Sequence, residues 1–252
     1  TTLPLEILSW EDLDGGSGGN STAEPNVEIL TDSFYIPQLD RYRRIWIYLP
    51  PDYNASNKNY PVLYMHDGQN LFDNQFAPFG EWEVDESLND LFDNGDYGII
   101  VVGIAHGGAS RLDELAPWVN PQYGGGEGEA YVDFIVENLK PWIDGQYRTL
   151  PAREHTGIMG SSLGGLISMY AALEHPQTFS KAGIFSPAFW YNPEIFSFPG
   201  QVGKQLDTKF YLLGGEQESA SMVPNMQRMR DSLLANGFST QEIKLLTHAD
   251  GQ

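Results

Sequence analysis

Gly157-Ile158-Met159-Gly160-Ser161-Ser162-Leu163-Gly164-Gly165 is the stretch on which the fold turns. A short apolar run leads through Gly160-Ser161-Ser162-Leu163-Gly164, a Gly-x-Ser-x-Gly pentapeptide, straight into residues 163–173, which have helical spacing. Strand, serine and helix in immediate succession predict a nucleophile elbow with Ser162 at its tip. Gly160 and Gly164 carry no β-carbon, so strand and helix can approach closely around a serine held in a strained backbone conformation. The Leu163 N–H, free at the helix start, then faces the place where negative charge develops on a carbonyl oxygen. A plain Gly-Ser turn is the competing reading, because the pentapeptide also arises by chance. The flanking strand and helix weigh against it.

Outward from the elbow, short β-rich runs alternate with longer helical patterns, as in an α/β fold with a mostly parallel central sheet and helices on both faces. Strands are expected at 27–36, 44–49, 61–65, 98–104, 156–159, 182–185, 210–213 and 243–246, and helices at 84–92, 131–142, 163–173 and 222–236, with Gly237 as a C-cap. The first two strands alternate polar and apolar residues across Gln38-Leu39-Asp40-Arg41, which predicts an antiparallel N-terminal hairpin. Residues 1–25 contain Asp14-Gly15-Gly16-Ser17-Gly18-Gly19-Asn20-Ser21 and read as a Gly-rich tail or linker before a domain at 26–252. Asp12, Asp14 and Asn20 there fit no calcium-loop spacing.

Composition removes whole classes of function. In 252 residues, Lys+Arg 14 stands against Asp+Glu 34, a formal net charge of -20, so nucleic-acid backbones and anionic membrane surfaces are expected to be repelled. No apolar run approaches the roughly 18 residues of a membrane span, and a soluble protein is expected. The absence of cysteine excludes a thiolate nucleophile and cysteine-bound metals. No metal or organic cofactor is implied.

The remaining parts of a serine-based site follow from order along the chain. Met65-His66-Asp67-Gly68-Gln69-Asn70 comes directly after a buried strand, where an N–H of Gly68 or Gln69 is a candidate second oxyanion donor beside Leu163. After the 210–213 strand, Gly214-Gly215-Glu216-Gln217-Glu218 offers two carboxylates at a strand's carboxyl end. Glu218 is preferred over Glu216 for its reach. His248 alone among the five histidines follows the acid, and it stands at the tail of the last strand. His106, His155 and His175 read as structural or surface groups. Trp82, Trp118, Phe189, Trp190 and Tyr191 are candidates for a substrate pocket, with core packing as the competing reading. Gly124-Gly125-Gly126-Glu127-Gly128 is expected to be a flexible loop near the site.

Residues 65–72, Tyr147-Arg148-Thr149, Gly160-Ser161-Ser162-Leu163-Gly164-Gly165 and Phe185-Ser186-Pro187-Ala188-Phe189-Trp190 together resemble the putative-esterase family of α/β-hydrolases, which includes esterase D, feruloyl, acetyl-xylan and enterochelin-type esterases. The resemblance implies the α/β-hydrolase fold, Ser162 as nucleophile, Leu163 and the Gly68-Gln69 segment as oxyanion donors, and Glu218 as the acid. It also implies a base in a Gly-rich turn after the last strand, which would place that histidine beyond Gln252 instead of at His248 and would make the domain truncated at its C-terminus. The expected reaction is hydrolysis of a carboxylic ester, small-molecule or glycan-linked, through an acyl-enzyme. A catalytically silent glycan-binding module and an acyltransferase are the alternatives.

Overall fold

The computed structural model describes residues 20–78 and 80–249. In chain order its elements are β1 (Val27–Ile36), β2 (Arg41–Tyr48), β3 (Val62–His66), α1 (Val84–Asp93), β4 (Ile100–Ile104), α2 (Arg111–Glu114), a small ribbon of β5 (Val119–Asn120) and β6 (Gly124–Gly125), α3 (Gly128–Phe134), a π turn at Ile135–Leu139 running into α4 (Lys140–Gln146), β7 (Thr156–Ser161), α5 (Leu163–Glu174), β8 (Lys181–Phe185), α6 (Phe198–Val202), β9 (Lys209–Gly215), α7 (Met222–Ala235) and β10 (Ile243–His248). Eight strands form one sheet in the order β1-β2-β4-β3-β7-β8-β9-β10. The expected hairpin is present, since β1 pairs antiparallel with β2. β2 also runs antiparallel to β4, and every other pairing within this sheet is parallel. The carboxyl ends of β3, β7, β8, β9 and β10 therefore share one edge, where sites of such sheets are built.

The pleat sorts the central strands onto two cores. Ile45, Ile47, Val62, Tyr64, Ile100, Val102, Ile104 and Ile158 enter the larger core, beside residues of α3, α5 and α7. Their neighbours Trp46, Tyr48, Met65 and Val101 enter the smaller one, which Val84 and Leu88 of α1 cover. Beyond α1 on that second face, Leu63, Ile99, Met159 and Tyr211 line an apolar groove of about 530 Å³. Among the described residues no helix is long and apolar enough to cross a membrane.

Two expectations need correction. The last part of the expected linker is fastened to the domain: Ser21 Oγ donates to Asp73 Oδ2 at 2.6 Å, Thr22 Oγ1 to Glu81 Oε2 at 2.5 Å and Glu24 N–H to Asp85 Oδ2 at 2.8 Å. Asp12 and Asp14 lie outside the described residues. The stretch expected as a flexible loop at 124–128 is instead half of the β5–β6 ribbon and the start of α3. Gly125 N–H donates to Asp113 Oδ1 at 2.8 Å, and a β-carbon on Gly128 would come within 2.7 Å of Pro117 backbone.

Candidate active site

Ser162 lies between β7 and α5 with φ 57 and ψ -120, a backbone conformation that costs about 1–3 kcal/mol and has to be enforced by its surroundings. Its N–H donates to Phe185 O at 3.0 Å, and its carbonyl accepts from Gly165, Leu166 and Ala188 at 3.1, 3.1 and 2.9 Å. The glycines do what the sequence requires of them. A β-carbon on Gly160 would stand 2.8 Å from the Gly164 carbonyl carbon, and one on Gly165 3.0 Å from Phe185 O. Ser162 itself is exposed at the floor of a cleft of about 760 Å³.

Glu218 and His248 line the same cleft. Glu218 Oε1 accepts Ser186 Oγ at 2.7 Å and Gly215 N–H at 2.5 Å, while Oε2 has no partner among the described residues. Glu216 points elsewhere, exposed and accepting Thr247 Oγ1 at 2.7 Å. His248 closes β10 in register with Gly215, its side chain exposed. Among the described residues no hydrogen bond joins its ring to Ser162 or to Glu218. Ser186, which bridges the acid loop to β8 at φ 41, stands in one of the family motifs, but an ordinary Ser-Pro pair gives no hint of its left-handed turn or of its bond to Glu218.

On the other side of Ser162 a smaller cleft of about 160 Å³ is lined by His66, Asp67, Asn70, Trp82 and Arg111. Leu163, buried at the first position of α5, has an N–H without an intrahelical acceptor, as any first-turn residue does. Gly68 and Gln69 open a short 3₁₀ turn after β3, and neither N–H donates to a carbonyl among the described residues. Gly68 is glycine for a reason other than mobility. A β-carbon there would be 2.6 Å from the Gly103 carbonyl carbon, so it packs the turn directly on β4.

Asp67 takes the left-handed conformation at φ 56 and receives Arg111 Nε and Nη2 at 2.7 and 2.8 Å. Burial pushes its carboxyl up, but Arg111 outweighs that and holds it below the usual carboxylate range. Burial also lowers His66 to about 4, and its Nδ1 lies 3.0 Å from Tyr131 Oη. The Asp67–Arg111 pair carries no sequence signal, since its members stand far apart in the chain.

Of the aromatic candidates, the cleft takes Trp82 and Trp190. Trp82 stacks on Phe185 with centroids 6.0 Å apart. Trp118 and Phe189 belong to the core, a correction to the expected pocket. Phe189 is 0% exposed against Phe196, and Trp118 packs edge-on to Tyr170 and Phe198. Tyr191 is buried as well, its hydroxyl donating to Tyr123 O at 3.0 Å. Among the described residues, one group of carboxylates close enough to share a cation, Glu81, Asp85 and Glu86, flanks Trp82.

A serine raised on a strained strand–helix turn above a mostly parallel sheet, with a carboxylate loop two strands further along, defines a serine hydrolase of the α/β-hydrolase fold. Residues 36–219 match the family model described as "Putative esterase", and the chain belongs to this family of carboxylic ester hydrolases. The uncharacterized protein YbbA of Bacillus subtilis is 28% identical over 216 residues, 81% of this chain and 82% of that protein. The siderophore triacetylfusarinine C esterase of Aspergillus fumigatus is 29% identical over 141 residues, 52% of this chain and 45% of that protein, so this chain matches less than half of its length. The structure of the BES protein from Bacillus cereus overlays with a TM-score of 0.71 at 22% identity, covering 91% of this chain and 88% of that one, a likeness of fold.

Proposed function

We propose that Ser162 is the nucleophile of an esterase acting on small-molecule esters with a flat acyl or alcohol group. The observation that carries the reading is the Ser162 backbone at φ 57 and ψ -120, which lifts the side chain into a cleft that Glu218 also lines. In this reading Ser162 Oγ attacks the ester carbonyl as an imidazole takes its proton, and the oxyanion forms against the Leu163 N–H and an N–H of the Gly68-Gln69 turn. Collapse of the tetrahedral intermediate expels the alcohol, which takes the proton back from the imidazolium. Water, activated by the same imidazole, then releases the acid and frees Ser162.

Glu218 is the acid because one carboxylate oxygen is fixed by Ser186 and Gly215 while the other stays free for a ring N–H. The imidazole comes from the chain at or after the end of β10, where His248 stands beside the cleft. Two exposed tryptophans, Trp82 and Trp190, offer faces on which a planar substrate group stacks. Small-molecule siderophore esters of the kind named for the Aspergillus fumigatus relative are candidates within that class.

The test is labelling with a fluorophosphonate followed by peptide mass mapping, alongside hydrolysis of p-nitrophenyl butyrate. Adduct on Ser162 and turnover are expected together. Turnover with the label on another residue overturns the assignment.

A further inference from the structure

The segment that carries Trp82 into the cleft is flanked by carboxylates. Glu81 precedes Trp82, while Asp85 and Glu86 stand in the first turn of α1. One carboxylate oxygen from each of the three lies within 4.8 Å of the other two. Asp85 is 0% exposed, and although its Oδ2 accepts the Glu24 N–H, its Oδ1 is buried with no hydrogen-bond partner. Glu81 Oε1 and Glu86 Oε2 are buried and unpartnered too. None of the three is ion-paired among the described residues. Proximity alone would be unremarkable in an acidic chain. A cluster in which each carboxylate also keeps one buried oxygen without a hydrogen-bond partner is a different matter, since an unpaired buried carboxylate is costly and normally finds a donor or a metal.

We propose that Glu81, Asp85 and Glu86 bind a calcium ion that holds the Trp82 wall of the cleft in place. The donor set is all oxygen and all anionic, which suits a hard divalent cation and leaves out metals that select nitrogen or sulfur. Calcium tolerates irregular geometry with oxygens at about 2.3–2.6 Å, so two ligand oxygens can stand up to about 5 Å apart across the ion. The spread of 4.8 Å fits that span. Further ligands would be water.

The consequence for the cleft follows from covalent neighbours. Trp82 N–H donates to Asn70 O at 2.9 Å, Glu83 is held in the left-handed conformation at φ 52, and Val84 N–H donates to Leu71 O at 3.1 Å. An ion joining Glu81 to Asp85 and Glu86 staples both ends of this turn. It also secures the start of the described chain, because Thr22 donates to Glu81 and Glu24 to Asp85. The competing account is a proton shared between Asp85 and Glu86, which makes the cluster indifferent to calcium.

The experiment compares thermal melts of the protein in EDTA and in CaCl2, with calorimetric titration of calcium alone into metal-free protein. One site per chain is expected, and at a hundredfold excess over Kd a rise in Tm of about 5–10 °C. Because Asp85→Asn can fail to fold, Glu81→Gln and Glu86→Gln are the working variants. Each should lose most of the rise while melting in EDTA no lower than the unsubstituted chain.

A melt and a calorimetric trace both unmoved up to roughly 10 mM calcium, above the range of even weak extracellular sites, overturn the proposal. So does a rise that persists in both variants. The effect on the cleft rests on the esterase reading and is measured separately: KM for an aryl ester should be severalfold lower with calcium, and an unchanged KM overturns the link to Trp82. Ser162→Ala should abolish turnover and keep the calcium-dependent rise, so failure of the esterase reading and failure of the metal site look different.

Discussion

At Ser162 the chain places a β-carbon in a region of backbone space that only glycine occupies without cost, at φ 57 and ψ -120. Alanine keeps that β-carbon and glycine removes it. Ser162→Ala and Ser162→Gly should both lower kcat/KM by more than about a thousandfold, since a triad without its nucleophile retains little. Only the glycine variant should also gain stability, by about 1 kcal/mol in a urea titration, the lower end of what such strain stores. Equal midpoints for the two variants would show that the strain is not borne at this residue.

The carboxylates separate by contact in the same way. Glu218 reaches the cleft and Glu216 is turned toward Thr247, so Glu218→Gln should cost about a hundredfold or more in kcat and Glu216→Gln less than about threefold. The reverse order would make Glu216 the acid. For the base, His248→Gln should cost less than about tenfold, because its ring makes no bond to Ser162 or Glu218. A loss comparable to that of Ser162→Ala would make His248 the base.

Elements were legible where local pattern and tertiary burial agree. β3 and β4 are compact apolar runs because both of their faces are buried, Tyr64 and Val102 in one core and Met65 and Val101 in the other. The elbow was legible because Gly160 packs on Gly164 backbone within one local turn, although Gly164 itself makes room for His66 at the end of β3. What was hidden depends on partners distant in sequence. The β5–β6 ribbon exists through Asp113 and Tyr191, and nothing in Phe189-Trp190 tells which ring faces the core and which the cleft.

Glu242 is another such hidden part. It fixes the turn into β10 by accepting Ser239 N–H at 2.8 Å, Thr208 N–H at 3.1 Å and Lys204 Nζ at 2.8 Å. Burial alone would push its carboxyl up, but Lys204, Ser239 and Thr208 together hold it at about 2 against an ordinary 4.5. A depressed carboxylate contributes stability above its unfolded pKa and loses it as pH falls through the folded one. Glu242→Gln should therefore cost up to about 3 kcal/mol near neutral pH, with the gap to the unsubstituted protein closing between pH 4.5 and about 2. A gap that stays constant down to pH 2 would assign the effect to packing.

For the molecule as a whole, the net charge of -20 bears on which esters reach Ser162. No lysine or arginine lines the larger cleft, Glu218 sits in its wall, and the nearby Arg111 guanidinium is already committed to Asp67. An anionic substrate thus meets repulsion with no cation to receive it. A neutral one meets only the tryptophan faces. Since the screening length falls from about 30 Å at 0.01 M salt to about 8 Å at 0.15 M, the long-range part of this barrier is removable. With calcium held constant, raising NaCl across that range should increase kcat/KM severalfold for a negatively charged aryl ester such as a p-nitrophenyl hemisuccinate. The neutral p-nitrophenyl butyrate should change less than about twofold, as steering acts on charged ligands. Tm should rise over the same interval as self-repulsion is screened. A salt response equal for the two esters would mean that the field of the whole protein does not select among substrates, and that discrimination lies in cleft contacts alone.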